Sequence, residues 1–296
     1  MFYVFVLPWV LGFLALTAFP LAYAFWLSLT NADVLAQDSD FVGAANYADL
    51  LDDAQAGHAL VLTALFTLTT VPASILGGLV LAVLVQRPLP GRTLYRTVFF
   101  LPAVIPPVAT AIAFKALFAR DTGAVNGVLA LAGVDAVTWT NGVHMAAPLF
   151  CLALWGVGSL MMISLAALHD VPRELFDAAR VDGAGAPRTF LAVTLPLISP
   201  VLLFQVITGV ASGLQTFLPA LLLSPDVSAG ALTTIPRGGY LYMIHVYVTY
   251  FAEGRFGYAS AMLWVLFLLT LACTGLLFRL SRRFVFTLVG PGGGRP

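Results

Sequence analysis

From Thr189 to Ser224 the chain runs for 36 residues without an Asp, Glu, Lys or Arg, a run that the surface of a soluble domain cannot accommodate. About 20 apolar residues, rising 1.5 Å each, cross the hydrocarbon core of a bilayer. The rest of the chain agrees. Of 296 residues, 60% are apolar and 9% charged, against about 45–50% and 25% in an ordinary soluble domain.

Charge-free windows place six spans: 2–29, 60–85, 97–118, 146–168, 196–224 and 256–278. The long fifth window is read as an approach segment to about Leu195 followed by the crossing. The expected fold is all-α, a polytopic membrane protein in a single domain over 1–296. Gly238–Ala252 is also uncharged but short and rich in tyrosine (Tyr240, Tyr242, Tyr247, Tyr250), which fits an interfacial segment better than a crossing. Leu21-Ala22-Tyr23-Ala24 has the form of a signal cleavage site. The apolar run before it is longer than a signal h-region and no basic residue precedes it, so an uncleaved first helix is expected. The missing basic n-region leads to the expectation that Met1 is not the native start.

The arginines orient the spans. Connections 1–2, 3–4 and 5–6 carry Arg120, Arg237 and Arg255. Connections 2–3 and 4–5 with the C-terminal tail carry Arg87, Arg92, Arg96, Arg173, Arg180, Arg188, Arg279, Arg282, Arg283 and Arg295. The positive-inside rule then puts both termini in the cytoplasm. The first outer loop, about 30–59, carries Asp33, Asp38, Asp40, Asp49, Asp52 and Asp53 and no basic residue; it is too short for an inserted outer domain.

Several functions are excluded or disfavoured. Fourteen basic residues balance fourteen acidic ones, leaving no basic field for nucleic acid. The only lysine, Lys115, is followed by Ala116, so the chain has no Walker A loop. It is expected to snorkel at the outer end of span three. Cys151 and Cys273 stand alone, with no metal or redox spacing, and HExxH and Gly-x-Ser-x-Gly are absent. No metal, cofactor or catalytic site is expected. His58, His144, His169 and His245 all fall near span ends, where an amphipathic ring is at ease. Two alternatives stay open. A secondary transporter would need intramembrane acids and repeats, and the spans hold no Asp or Glu. An intramembrane serine protease would pair Ser212, in Gly209-Val210-Ala211-Ser212-Gly213, with His245.

The connection over 169–195 carries the densest pattern. Pro172 and Glu174 suit the first turn of a helix. Leu175, Ala178, Ala179 and Val181 give that helix a packing stripe, and Gly183-Ala184-Gly185 ends or bends it. A second helical piece leads through Phe190 and Thr194 to Leu195-Pro196. Small residues between two helical pieces let another backbone come close, the property of a docking knob.

Glu174-Leu175-x-Asp177-Ala178-Ala179-x-x-Asp182-Gly183-Ala184, then Phe190-x-x-x-Thr194-Leu195-Pro196-x-x-x-Pro200, resembles the "EAA" loop of ABC-importer permeases, closest to the carbohydrate-uptake branch. Asp177 stands where that family has glutamate. In family order come also Phe41-Val42-Gly43, Asn46-Tyr47, Arg96-Thr97 through Leu101-Pro102, Gly123-x-x-Asn126, Gly257–Ala261 and Arg279–Arg283. The segment Ser224–Arg255 departs from the pattern.

The resemblance implies a type I importer permease fold in a bacterial cytoplasmic membrane and transport of a sugar or polyol. It implies pairing with a second homologous permease, docking of two copies of a separate ATPase that binds the ATP, and delivery of solute by an extracytoplasmic binding protein. Glu174, Asp177, Ala178, Ala179, Asp182, Gly183 and Ala184 would make the ATPase contact, and the fifth helix would line the pathway. That helix offers Gln205, Thr208, Ser212, Gln215 and Thr216 at helical steps, with Phe217 beside them. Uncharged amides and hydroxyls with one aromatic face suit a neutral polyol; the same side chains also suit bonding between helices.

Overall fold

The computed structural model describes residues 2–34, 39–87, 90–224 and 235–281. Among them there is no strand, only a bridge between Thr30 and Phe41. Helix α1 runs Phe2–Phe13, through a π-helical turn Leu14–Ala18, and on as Phe19–Ser28. Then come α2 (Ala45–Asp52), α3 (Ala54–Gln86), α4 (Arg92–Phe100), α5 (Pro107–Leu117) and α6 (Ala124–Leu131). They are followed by α7 (Ala146–Trp155), α8 (Val157–His169) and α9 (Arg173–Val181). Helix α10 begins as Ala186–Thr189, widens through a π turn Phe190–Thr194 and continues as Leu195–Leu214. The last three are α11 (Leu218–Leu223), α12 (Tyr242–Phe251) and α13 (Phe256–Ser281).

Among the described residues, five helical stretches are long and apolar enough to cross a membrane, or six if the bent pair α4–α5 counts as one. That pair corrects the third expected span. Residues 97–118 do not form one straight helix; α4 ends in the short turn Leu101–Val104, and α5 leaves it at 97°. Pro102, Pro106 and Pro107 remove three backbone donors, and each restricts the residue before it, so no straight helix passes through them. The fifth span is also revised. Its approach segment belongs to α10 itself, and the helix stops at Leu214, leaving α11 as a separate piece.

Both π turns have one cause. Phe19 donates to the Leu14 carbonyl and Leu195 to that of Phe190, and each is followed at once by proline, Pro20 and Pro196. A proline ring clashes with the carbonyl four residues back. A local shift to five-residue bonding keeps the helix continuous around it.

Helix α3 is the centre of the bundle, with α8, α10, α7 and α12 against it. Its closest neighbour is α8. A Cβ built on Gly78 would lie 2.8 Å from the Leu160 Cβ and 3.0 Å from the Met161 nitrogen, so the two helices meet backbone to backbone. In lipid that close packing replaces the hydrophobic drive of a soluble core. One buried cluster, including Leu79, Val85, Met161, Leu165, Leu168 and Ile198, fills the end of the bundle next to α9. Two others, around Met145, Leu149, Leu223 and Ile244 and around Leu214, Tyr242, Tyr258 and Met262, fill the α2 end. Helix α1 lies outside, joined chiefly to α13, and Tyr3, Phe5, Trp9 and Leu16 are at least 70% exposed.

The motif residues at the α2 end hold connections rather than reactants. Asn46 donates to the Ser28 and Thr30 carbonyls, and the Tyr47 hydroxyl meets Ser28 Oγ at 2.7 Å. Asn126 donates to the carbonyls of Ala119, Arg120 and Val137 and accepts from Val137 N and Trp139 Nε1. One amide side chain thus satisfies the backbone of an irregular connection that would otherwise bury unpaired groups. Lys115 donates to the Ser224 carbonyl just past α11.

Candidate functional site

Three places bring polar groups together. The first is the connection around α9. Pro172 is the N-cap and Glu174 sits in the first turn, as its charge favours. At the other end Gly183 donates to the Arg180 carbonyl and Ala184 to that of Ala179, the pair of bonds that closes a helix with a left-handed residue. Gly183 is that residue, with φ +73°, and a Cβ on it would meet nothing within 4 Å.

Glu174, Asp177, Ala178, Asp182 and Gly183 are exposed together, Ala184 is half-buried and Ala179 is buried. The packing stripe read from the sequence is therefore corrected. Leu175 and Ala178 are exposed and Val181 is 88% exposed, while Phe176 packs on the cluster around Leu165 and Ile198. The helix thus turns apolar Leu175, Ala178 and Val181 outward beside three carboxylates. Asp177 has an exposed contact with Arg180 at 3.4 Å, which is worth little in water.

The second place is a cleft of about 360 Å³ between α3, the α7–α8 break and α10. Gln205, Thr208 and Ser212 line it from α10 and Thr216 from just past its end, and Thr70 and Ser74 face them from α3. Gln205 is buried; its Nε2 donates to the Leu160 carbonyl and to Ser164 Oγ, while its Oε1 is buried with no partner among the described residues. A carbonyl only accepts, so this orients the amide, and the unpaired oxygen is an open acceptor. Thr70, Thr208 and Thr216 donate their hydroxyl protons to their own helix carbonyls, which leaves their lone pairs free. Two residues of the expected stripe lie elsewhere. Gln215, the C-cap, lines a separate groove along α13, and Phe217 lines a third hollow beside α12. The helix ends at Leu214, so its periodicity does not carry their side chains on.

The third place was not legible as a site. His245 is buried on α12 between Tyr240 Oη, at 2.9 Å from Nδ1, and Asp53 Oδ2, at 3.1 Å from Nε2. Asp53 also accepts from Tyr258 Oη at 2.7 Å and, through Oδ1, from the Gln55 and Ala56 amides at the start of α3. Burial alone would raise its pKa; the Ala56 amide, Tyr258 and His245 outweigh that and hold it at about 2. Burial, reinforced by Glu253 and Asp53, pushes Tyr240 up to about 12. Both imidazole nitrogens are thereby taken, and His245 has no bond to Ser212, which removes the geometry a serine protease needs. The only sequence signal for this cluster was the tyrosine-rich segment itself.

A helical bundle with several membrane-length helices, an uncharged polar cleft inside it and an acidic helical knob at one end defines a multi-pass transport subunit. The chain belongs to the family described as "Binding-protein-dependent transport system inner membrane component", which matches residues 74–286. It is 32% identical to a probable ABC transporter permease protein of Bacillus subtilis, YesP, over 96% of this chain and 91% of that one. It is also 32% identical to the sulfoquinovosyl glycerol transport system permease SmoG of Agrobacterium fabrum, over 87% of this chain and 81% of that protein. The fold matches a crystal structure of a bacterial alginate ABC transporter in complex with an alginate pentasaccharide-bound periplasmic protein. There the TM-score is 0.82 at 21% identity, covering 97% and 96% of the two chains. The protein is a permease subunit of an ABC importer, an all-α membrane component with the type I permease fold and not an enzyme.

Proposed function

We propose that this permease carries a neutral saccharide or polyol through the cleft between α3, α8 and α10, driven by a separate ATPase that docks on α9. The observation that carries this reading is the cleft itself. Hydroxyls from two helices and the Gln205 amide converge in an otherwise apolar cavity that holds no charge, the chemistry for exchanging hydrogen bonds with an uncharged polyhydroxyl solute. Relatives named for multiple sugars, for trehalose and maltose and for arabinooligosaccharides support the solute class.

The arginine bias supports placing α9 and both termini in the cytoplasm. Asp177 and Asp182 then face basic groups of the ATPase, while Ala178 and Gly183 let its surface come close. A half-pathway with exposed Thr208 and Ser212 supports pairing with a second permease, and an extracytoplasmic binding protein delivers the solute at the α2 end. The family match runs through the segment 224–255, whose residues 225–234 lie outside the described ones.

Reconstitution of the whole complex in proteoliposomes tests this. Maltose, trehalose and arabinotriose are offered with the binding protein and ATP, and sulfoquinovosyl glycerol, which carries a sulfonate, is the anionic comparison whose preferred uptake would overturn the neutral reading. Gln205→Ala and Ser212→Ala are expected to slow uptake about tenfold each or to change the order of preference, since each removes one hydrogen bond in a desolvated site. Unchanged rate and preference in both variants would mean that the cleft only packs helices and that the other permease holds the solute.

A further inference from the structure

The hollow beside α12 is not part of the cleft just described. Phe217, Met243, Val246, Tyr247, Tyr250, Phe251 and Leu263 enclose about 340 Å³ at the α2 end. Its aromatic rings form a chain: Phe217 lies 4.8 Å from Tyr247, Tyr247 4.7 Å from Phe251, and Phe251 4.8 Å from Tyr250. Phe251 is 65% exposed.

The tyrosines at this end divide into two kinds. The hydroxyls of Tyr240, Tyr242 and Tyr258 are all hydrogen-bonded inside the protein. Those of Tyr247 and Tyr250 have no partner among the described residues. The hollow therefore presents ring faces together with unused hydroxyls. A saccharide ring has the complementary surface, with a face of C–H groups and a rim of hydroxyls.

Two further features point the same way. Phe217 directly follows Thr216, so the hollow starts where the polar cleft along α10 ends. Met243 and Leu263 are shared with the groove of about 410 Å³ that runs down α13 past Gln215 to Thr270 and Thr274. Gln215 lines that neighbouring groove and not the hollow itself.

We infer that this hollow is an entry site for a saccharide ring, which stacks on Phe251 and Tyr247 and bonds to the Tyr247 and Tyr250 hydroxyls before it reaches the cleft. The inference rests on the carbohydrate reading above and adds a second site to it. Nothing in that reading requires the aromatic rings.

The test uses the full complex with its binding protein in proteoliposomes and the same four sugars, with two readouts. One is uptake at saturating binding protein. The other is binding-protein affinity for the complex without sugar. Phe251→Leu keeps an apolar side chain and removes the stacking face, and its uptake should fall about tenfold while the affinity stays unchanged. Phe251→Trp should restore uptake. Tyr250→Phe, which removes one hydroxyl and leaves the packing alone, should slow uptake about threefold.

Wild-type uptake in Phe251→Leu and Tyr250→Phe would overturn the entry site and leave the carbohydrate reading intact. Loss of sugar-free binding-protein affinity in Phe251→Leu would make the hollow a protein contact and also overturn it. If the wild-type complex imports none of the three neutral sugars, the neutral-saccharide reading fails and the entry site with it.

Discussion

Gly183 separates what this chain needs from what its ATPase needs. It ends α9 in the left-handed region at φ +73°, and nothing of this chain lies within 4 Å of where a Cβ would be. Substitution therefore costs the permease only backbone strain, about 1 kcal/mol for alanine and less for asparagine, which tolerates that region. At about 2–4 °C per kcal/mol for a chain of this size, Gly183→Ala should melt a few degrees low and Gly183→Asn nearer to wild type. A docking contact ranks them the other way. Asparagine projects further into a packed partner surface than alanine, so Gly183→Asn should lose more ATPase co-elution and more ATP turnover with loaded binding protein. Both quantities are measured on the purified complex beside thermal melts of each variant. If coupling follows the stability order, with alanine worse than asparagine, or if both variants couple as wild type, Gly183 is only a helix terminus and the docking assignment falls.

Asp53 makes the α2 end sensitive to acid. Its pKa in the fold is about 2, below the ordinary 3.8, so its contribution is complete above about pH 4 and is lost as pH falls toward 2. Because the carboxylate is partly open to water, solvent screening discounts the shift to about 1 kcal/mol. Asp53→Asn should lower the melting temperature at pH 7 and flatten the acid limb of the melting profile; an acid limb as steep as that of wild type would contradict this. The proposed orientation is checked with single cysteines placed at Asp40 and at Arg188 in a background without Cys151 and Cys273. An impermeant thiol reagent should label the first in intact cells and spare the second, and the reverse result would overturn the placement of α9 on the ATPase side. A cysteine at Ala229 would report the same side as Asp40, although that position lies outside the described residues.

Much of the fold was legible because membrane insertion is a local property. A residue's cost in hydrocarbon is set by its own side chain, so charge-free length marks the candidate spans without any knowledge of packing. Capping is equally local. Pro172, Glu174 and Gly183 mark the bounds of α9 in the sequence, because each acts within one helical turn. The facing of α9 was misread, since Leu175, Ala178 and Val181 look like a packing stripe until Phe176 is seen against the bundle.

Other features were settled by tertiary structure alone. Three prolines within a few residues announce a break, but only the packing of α4 on α8 shows a turn of 97°. The steps from Gln205 to Thr216 place four residues on one cleft, yet the sequence did not show that Thr70 and Ser74 face them, nor that Gln215 and Phe217 leave them where α10 ends. The bond from His245 to Asp53 spans 192 residues. Periodicity and propensity act over a few residues, and the meeting of two such distant groups depends on how whole helices pack. The sequence by itself determined which stretches are long and apolar enough to cross a membrane and where α9 begins and ends; which side chains converge on the cleft, the aromatic hollow and the Asp53 cluster was decided by packing between segments far apart in the chain.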